Sequence, residues 1–346
     1  MKRYLITIIL LMFLLTACAG NKTVKRASRP AWLDNPESKY PNTQYITAIG
    51  TGFSRSDAEK DAAAKLSRIF RTDVEATETM EKRYEELTRN NVTSSEDYAK
   101  SVKNITLSSS EALINMQFGE SYTDDKAKVH TIAYLNRDET FHIYEEMISA
   151  NSDQIIYYTN KIESLENPLD IYAYYGAAWM IATKNADLHR QLMIIYPQLS
   201  TMIGIKYDTN TIKENYIKAA RAITFSIDIA GDEDGRIANI IKRIITAEGF
   251  QIAENNGFIS ASGSVSMVLT ELKRDDGTIF YRWEMSLNLA QPDGNTILSL
   301  NPSGRAGSIS KSEARSRVYI DIEKKLDKSI VRQLNSWFDN IVIKAK

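Results

Sequence analysis

The chain of 346 residues has one cysteine, three histidines and seven prolines, and its formal charge at pH 7 is only −1. A single cysteine excludes any internal disulfide, so stability has to come from an apolar core. Charge this close to neutral gives no electrostatic footprint for nucleic acid, which would need a concentrated basic face. His130, His142 and His189 are scattered, with no His-Glu-X-X-His or paired-histidine spacing, so the pattern offers no metal site. There is no Gly-X-Ser-X-Gly elbow and no Walker-type lysine loop. No cofactor is expected. Long apolar runs are also scarce. The one extended run is the twelve residues from Tyr4 to Leu15, and later runs such as Gly176 to Ala182 are brief.

That first run follows Lys2 and Arg3 and ends at Leu15-Thr16-Ala17-Cys18. It is too short to cross a bilayer, which takes about 20 apolar residues, but it suits the apolar region of a secretory signal. The small Ala17 before the lone Cys18 resembles the lipobox of bacterial lipoproteins. The resemblance implies cleavage before Cys18, acylation of its thiol and amine by fatty chains such as palmitate, and a mature protein anchored in membrane lipid. Ala19, a non-aspartate after the cysteine, implies the outer membrane by the sorting rule for lipoproteins of double-membrane bacteria. The competing reading is a buried helix ending in a core thiol, but charge, apolar run and small-residue exit stand here in the order a signal needs.

Removing residues 1–17 takes Lys2 and Arg3 from the 43 basic residues, leaving 41 against 44 acidic ones, a formal charge of −3. The 329 residues that remain suggest two domains, at a prior of roughly 150 residues each. Residues 18–29 read as lipid anchor and flexible tether, able to reach roughly 40 Å when stretched. We expect an α+β fold, with two mixed antiparallel-sheet-plus-helix domains at 30–165 and 223–346 joined by a helical connector at 166–222.

In the first domain, the apolar strand Tyr45–Ile49 runs into Gly50-Thr51-Gly52, and Ser54 with Asp57 forms a capping-box pattern. Ala58, Ala62, Leu66, Ile69 and Phe70 follow at helical spacing, with Asp61 and Lys65 as a solvent-side pair. Residues 71–87 fit a strand through Val74, Ala76 and Met80, or a helix through Met80, Tyr84 and Leu87. Alternation at Ala112, Ile114, Met116 and Phe118, a turn at Asp124-Asp125 and a return from Val129 to Leu135 predict a hairpin. Asn136 and Glu139 then open a long helix.

The connector carries Tyr172, Tyr175, Trp179, Leu188, Leu192 and Ile195 on one side and is interrupted at Pro197. No second copy at tetratricopeptide spacing is present. The last domain reads as a strand through Phe225, Ile227 and Ile229, an acidic turn at Gly231–Gly235, and a helix closed by Gly249. Three strands separated by Asp276-Gly277 and Asp293-Gly294 follow, and then a final helix capped by Ser310 and Glu313. Clean alternation from Ile279 to Leu289 means one wet face. Ser310-Lys311-Ser312-Glu313-Ala314 echoes Ser54-Arg55-Ser56-Asp57-Ala58, as helix-start chemistry often does.

At Pro30-Ala31-Trp32, Tyr45 through Gly52, and Ala58-Glu59 through Ala64, the chain resembles the LPP-twenty lipoprotein family and the related N-terminal domain of flagellar assembly protein T, over roughly residues 30–150. The resemblance implies a lipid-anchored envelope protein with an α+β domain and no known catalytic centre. The chain from 151 onward departs from the short members of that family.

Three local patterns invite other chemistry. The Gly50-Thr51-Gly52 turn suggests a dinucleotide loop, but Arg55 stands where the third glycine belongs. Asp228, Asp232 and Asp234 suggest calcium, but Ile241 stands where an EF-type loop needs glutamate. Tyr157-Tyr158 with Tyr172, Tyr174 and Tyr175 suggests an aromatic binding strip, against plain helix packing. The leading expectation is a lipid-anchored protein that binds an envelope protein partner and is not an enzyme. The rivals are an envelope hydrolase acting on cell wall or glycan and a surface-displayed adhesin or antigen. Exposed apolar surface or a free sheet edge would favour the binder, and a cleft joining two carboxylates the hydrolase.

Overall fold

The computed structural model describes residues 28–70, 78–89, 113–270 and 276–345. The signal at 1–17, Cys18, most of the tether, Val74, Ala76 and Ala112 lie outside the described residues. The chain is mixed α+β and divides into two compact units. The first comprises residues up to Ile69 and Asn115–Asn136. The second comprises Phe70–Ile114 and Arg137–Lys346.

The first unit opens with helix α1 (Ala31–Asp34) and a 3-10 turn at Pro36–Ser38. Strand β1 (Tyr45–Gly52) and helix α2 (Arg55–Ile69) follow, then strands β2 (Gln117–Thr123) and β3 (Val129–Asn136). The sheet order is β1-β3-β2, antiparallel throughout. The Ser54 hydroxyl accepts from Asp57 N–H at 3.1 Å and donates to the Asp57 carboxylate at 2.7 Å, starting α2 where the capping pattern placed it. Ala58, Ala62 and Leu66 of α2 are fully buried, as the helical spacing requires. On the other face, Trp32 and Tyr40 pack with Ile132, beside Tyr45, Ile49, Tyr122 and Tyr134. The expected alternation from residue 112 gives strand only from Gln117, because Asn115 has φ of 62° and breaks the extended path.

In the second unit, helices α3 (Glu78–Arg89), α4 (Arg137–Ile162), α5 (Pro168–Ile195), α6 (Pro197–Ser200) and α7 (Thr209–Ala222) precede β4 (Thr224–Ala230). Then come α8 (Arg236–Ala247), β5 (Gln251–Ile252), β6 (Ile259–Leu269), β7 (Ile279–Ala290), β8 (Thr296–Leu300), β9 (Ser303–Ser308) and α9 (Lys311–Lys344). The ambiguous stretch is helical from Glu78, which buries Tyr84 and Leu87 on one side. The sheet order is β5-β4-β6-β7-β8, with β9 also paired to β7. The sheet is mixed: β4 runs parallel to β5 and β6, whereas β6, β7, β8 and β9 pair antiparallel. Crossovers through α8 and the 253–258 segment make the parallel pairs possible, since two-residue turns cannot.

Burial along β7 alternates as its sequence does, with Trp283, Met285, Leu287 and Leu289 inside. Against them lie Val318, Ile322 and Leu326 of α9 and Ile237, Ile241 and Ile244 of α8, in one continuous core. The helices read as a connector share that core. Tyr172 of α5 lies 5.0 Å from Phe250 and 4.5 Å from Phe338, ring to ring, and Phe225 of β4 lies 5.2 Å from Phe250. Among the described residues no helix is long and apolar enough to cross a membrane.

Candidate functional site

The residues singled out for chemistry are held by structural bonds. A Cβ on Gly50 would collide with the backbone of Ala58 and Ala62, and one on Gly52 with Asp57, so both glycines let α2 press onto β1. Among the described residues their sheet is antiparallel, without the parallel strand-helix-strand unit a dinucleotide loop belongs to. Asp232 accepts from the Ile237 and Ala238 amides at 3.1 and 2.8 Å, capping α8. Asp234 takes Arg315 at 3.3 Å, and Asp228 lies exposed on β4. The three aspartates therefore do not converge: two on the turn hold separate partners and the third lies on the strand before it.

The histidines are equally dispersed. His130 on β3 meets Asp124 at 3.0 Å, His142 meets Glu145 at 3.4 Å on an exposed turn of α4, and His189 lies half-buried on α5. Among the described residues no group of three metal-ligating side chains occurs. Asp124 also accepts from the Lys126 and Lys128 amides, and His130 with these bonds pulls its carboxyl down to about 2. Tyr158, Tyr172 and Tyr174 are buried in helix packing, and the Tyr172 and Tyr216 hydroxyls meet at 2.9 Å. The aromatic strip is mostly core.

Two carboxylates do approach one polar knot in the second unit. Asp339 of α9 receives both Nε and Nη2 of Arg83 at 2.7 and 2.8 Å, and it is only 4 % exposed. Glu248, at the end of α8, is pushed up by burial, an effect that Arg83 opposes. Both oxygens of Asp339 are committed to the guanidinium, so the pair ties α3 to α9 rather than leaving a free base. A second network joins Tyr84, Asn151, Asn185, Ser152 and Tyr207 through bonds of 3.0 to 3.2 Å and fixes the register of α3, α4 and α5. The cavity between α3 and α5, lined by Met80, Tyr84 and Met180, has a volume of about 30 Å³. That is room for a water or two, against roughly 300 to 1,000 Å³ in a small-molecule pocket.

Chemistry of recognition is richer at the sheet edges. On β1, the Lys65 ammonium donates to the Ile49 carbonyl at 3.1 Å, and Asp61 accepts from the Thr51 amide at 2.8 Å. On β9, Lys325 donates to the Ser303 carbonyl at 2.7 Å and Arg317 to the Gly307 carbonyl at 3.0 Å. Both edges are thus sealed by side chains of the helix lying over the sheet, the kind of protection an exposed edge needs. The outer side of β4 is different. β5 pairs only with Thr224 and Phe225, so no described strand lies beside Ile227–Ala230. Since the Ile223 and Phe225 carbonyls accept from Gln251 and Ala253 on that side, the odd-numbered backbone groups face outward.

The uncovered face of the same sheet is rich in hydroxyls. Ser260, Ser262, Ser264 and Ser266 line it on β6, Ser264 meets Ser286 at 2.9 Å, and Ser299 donates to Asn288 at 2.7 Å. Elsewhere in the second unit, α5 and the loop after α6 leave Met193, Met202 and Ile205 at 52, 77 and 46 % exposure. In the first unit, Phe53 is 86 % exposed in the turn after β1. Sequence patterning could not find these surfaces, because a single apolar residue in a loop looks the same whether it is buried or bare.

No family model matches the chain, and no curated protein matches it. Among solved structures, it is similar to a minor lipoprotein from Acinetobacter baumannii, at 16 % identity and a TM-score of 0.26 over 33 % of this chain and 90 % of that one. It is also similar to a secreted protein from the human pathogen Helicobacter pylori, at 12 % identity and a TM-score of 0.42 over 84 % of this chain and 97 % of that one. At such scores the functional reading rests on the residues of the chain itself.

Proposed function

We propose that the chain is a lipid-anchored cell-envelope protein, held at the outer membrane through acylated Cys18, which acts by binding other envelope proteins without catalysis. The observation that carries it is the order of Lys2-Arg3, a short apolar run and Ala17 before the only cysteine. Two or more acyl chains make attachment stable, since each buried methylene contributes about 0.8 kcal/mol. Binding is supported by the open edge of β4 and by the bare Met193, Met202 and Ile205, adaptable side chains of the sort that partner surfaces use. Participation in assembling an envelope or flagellar structure rests on the resemblance at Pro30–Trp32, Tyr45–Gly52 and Ala58–Ala64.

Crosslinking the tagged protein in its native membrane tests this reading, with mass measurement of the mature N-terminus alongside. An acylated Cys18 and a specific envelope protein in the crosslinked fraction are expected, and Cys18→Ser should release the chain from membranes. Absence of any specific partner, together with turnover of cell-wall fragments by the pure protein, would replace the binder with the hydrolase.

A further inference from the structure

We propose that the turn carrying Phe53 is a membrane-contacting tip that inserts into the lipid surface to which the chain is anchored. The inference rests on the acylation of Cys18 and concerns the first unit alone. It starts from where the tether ends. Trp32 is 3 % exposed and fixed against Tyr40 and Ile132, so the chain leaving toward Cys18 has a defined root. Just before it, Arg29 is bonded to Asp34 and lies within electrostatic reach of Tyr122 and Asp124, at the tip of the β2–β3 hairpin.

Phe53 belongs to that same end of the sheet. Gly52, its neighbour, pairs with Val129, and Val129 also pairs with Thr123 next to Asp124. The three strands place the Phe53 turn and the hairpin tip roughly 10 Å apart, two strand spacings. Arg29 stands eleven positions after Cys18, so the root stays within roughly 40 Å of the bilayer. A tether of that length raises the effective concentration of the tip at the surface. One bare phenyl ring then needs to supply orientation only, since attachment is already secured by the acyl chains.

The surroundings suit a headgroup layer. Lys126 and Lys128 are exposed on the hairpin tip, where their stems can follow apolar surface while the ammonium groups reach phosphate. Asp125 and Asp57 are exposed there too, so the tip is close to neutral and its membrane affinity comes from the ring rather than from charge. Gly52 and Ser54 flank the ring with little bulk, leaving it at the apex of the turn.

The test uses the full-length acylated protein in vesicles of phosphatidylethanolamine and phosphatidylglycerol, with and without brominated acyl chains. Phe53→Trp places a fluorophore at the tip, and its exposure leaves the core intact. Ile69→Trp places one at the far end of α2, about 20 Å along a fifteen-residue helix. Read as the difference from the native chain with its four tryptophans, emission at position 53 should shift to the blue on either vesicle and be quenched by the brominated lipid, and emission at position 69 should do neither. Equal responses from acylated, vesicle-bound protein would overturn the inference while leaving the anchor in place. Unmodified Cys18 and protein free of vesicles would overturn both. A photoreactive group at position 53 that labels a protein in intact cells, rather than lipid, would give the tip to a partner and likewise defeat the proposal.

Discussion

In the first unit the three-stranded sheet has α2 on one face and Trp32 with Tyr40 on the other, whereas the six-stranded sheet of the second unit has helices on one face and water on its serines. Both sheets seal one edge in the same way. An aspartate and a lysine four residues apart on the covering helix, Asp61–Lys65 and Asp321–Lys325, place the lysine on an edge carbonyl. Each sheet has a further edge that no described strand pairs, the outer side of β2 in the first and of Ile227–Ala230 in the second, but only the second sheet leaves a whole face unclaimed. A sheet covered on both faces has its side chains committed to packing, whereas one open on a face leaves backbone and hydroxyl groups exposed.

The units also differ in how they use charge. Arg29–Asp34 and Lys39–Glu120 of the first unit are exposed, and solvent screening leaves such pairs little weight in stability. Arg83–Asp339 of the second is largely buried. Asp339→Ala should therefore have the largest effect, destabilising the second unit by about 3 kcal/mol in chemical denaturation, because it strands a buried guanidinium. Replacing both partners, as in Arg83→Met with Asp339→Leu, should recover much of that loss. If Asp34→Ala cost as much as Asp339→Ala, the contrast between the two units would fail.

The sealed edges sharpen the comparison at smaller energies. Lys65→Ala or Lys325→Ala should cost at most about 1 kcal/mol, since both ammonium groups are partly exposed. Each change uncovers an edge carbonyl and should raise concentration-dependent association, read by light scattering. Along β4, amide exchange should alternate: Ser226 and Asp228 slow through their bonds to β6, Ile227 and Ile229 fast on the outer side. Slow exchange at Ile227 and Ile229 in the isolated protein would close the edge that we regard as open.

Much of this architecture was legible in the residues. The period of Ala58, Ala62 and Leu66, the alternation of Trp283 through Leu289 and both serine caps required only local chemistry. Strand β9 was not legible, because Ser303-Gly304-Arg305-Ala306-Gly307-Ser308 has neither β-branched nor alternating apolar residues, and it is a strand by virtue of pairing with β7. The parallel course of β4 was hidden for a related reason, since alternation reports a wet face and not the direction of the neighbour. Asp61 and Lys65 read as a solvent-side pair, and their grip on β1 depended on knowing where the edge backbone lies. Of the candidate site, Cys18 is an expectation from the sequence that lies outside the described residues, while the bare surfaces needed a folded chain to be recognised.

The smallest effects set one carboxylate in each unit against the other as pH changes. Asp124 has its folded pKa lowered to about 2 from an ordinary 3.8, by His130 first and then by the Lys128 and Lys126 amides. Its contribution to stability is complete above the unfolded value and disappears as pH falls through about 2, so Asp124→Asn should flatten the acid limb between those values. Glu248 has the opposite sign: burial raises its pKa above 4.5, so its protonated form favours folding and its ionisation weakens the fold as pH rises. Glu248→Gln should therefore stabilise the second unit at neutral pH, with no gain in acid where the native side chain is already protonated. Thermal unfolding followed across that range checks both signs, and a Glu248→Gln variant less stable than the native chain at pH 7 would mean that the carboxylate contributes more through Arg83 than it loses by burial.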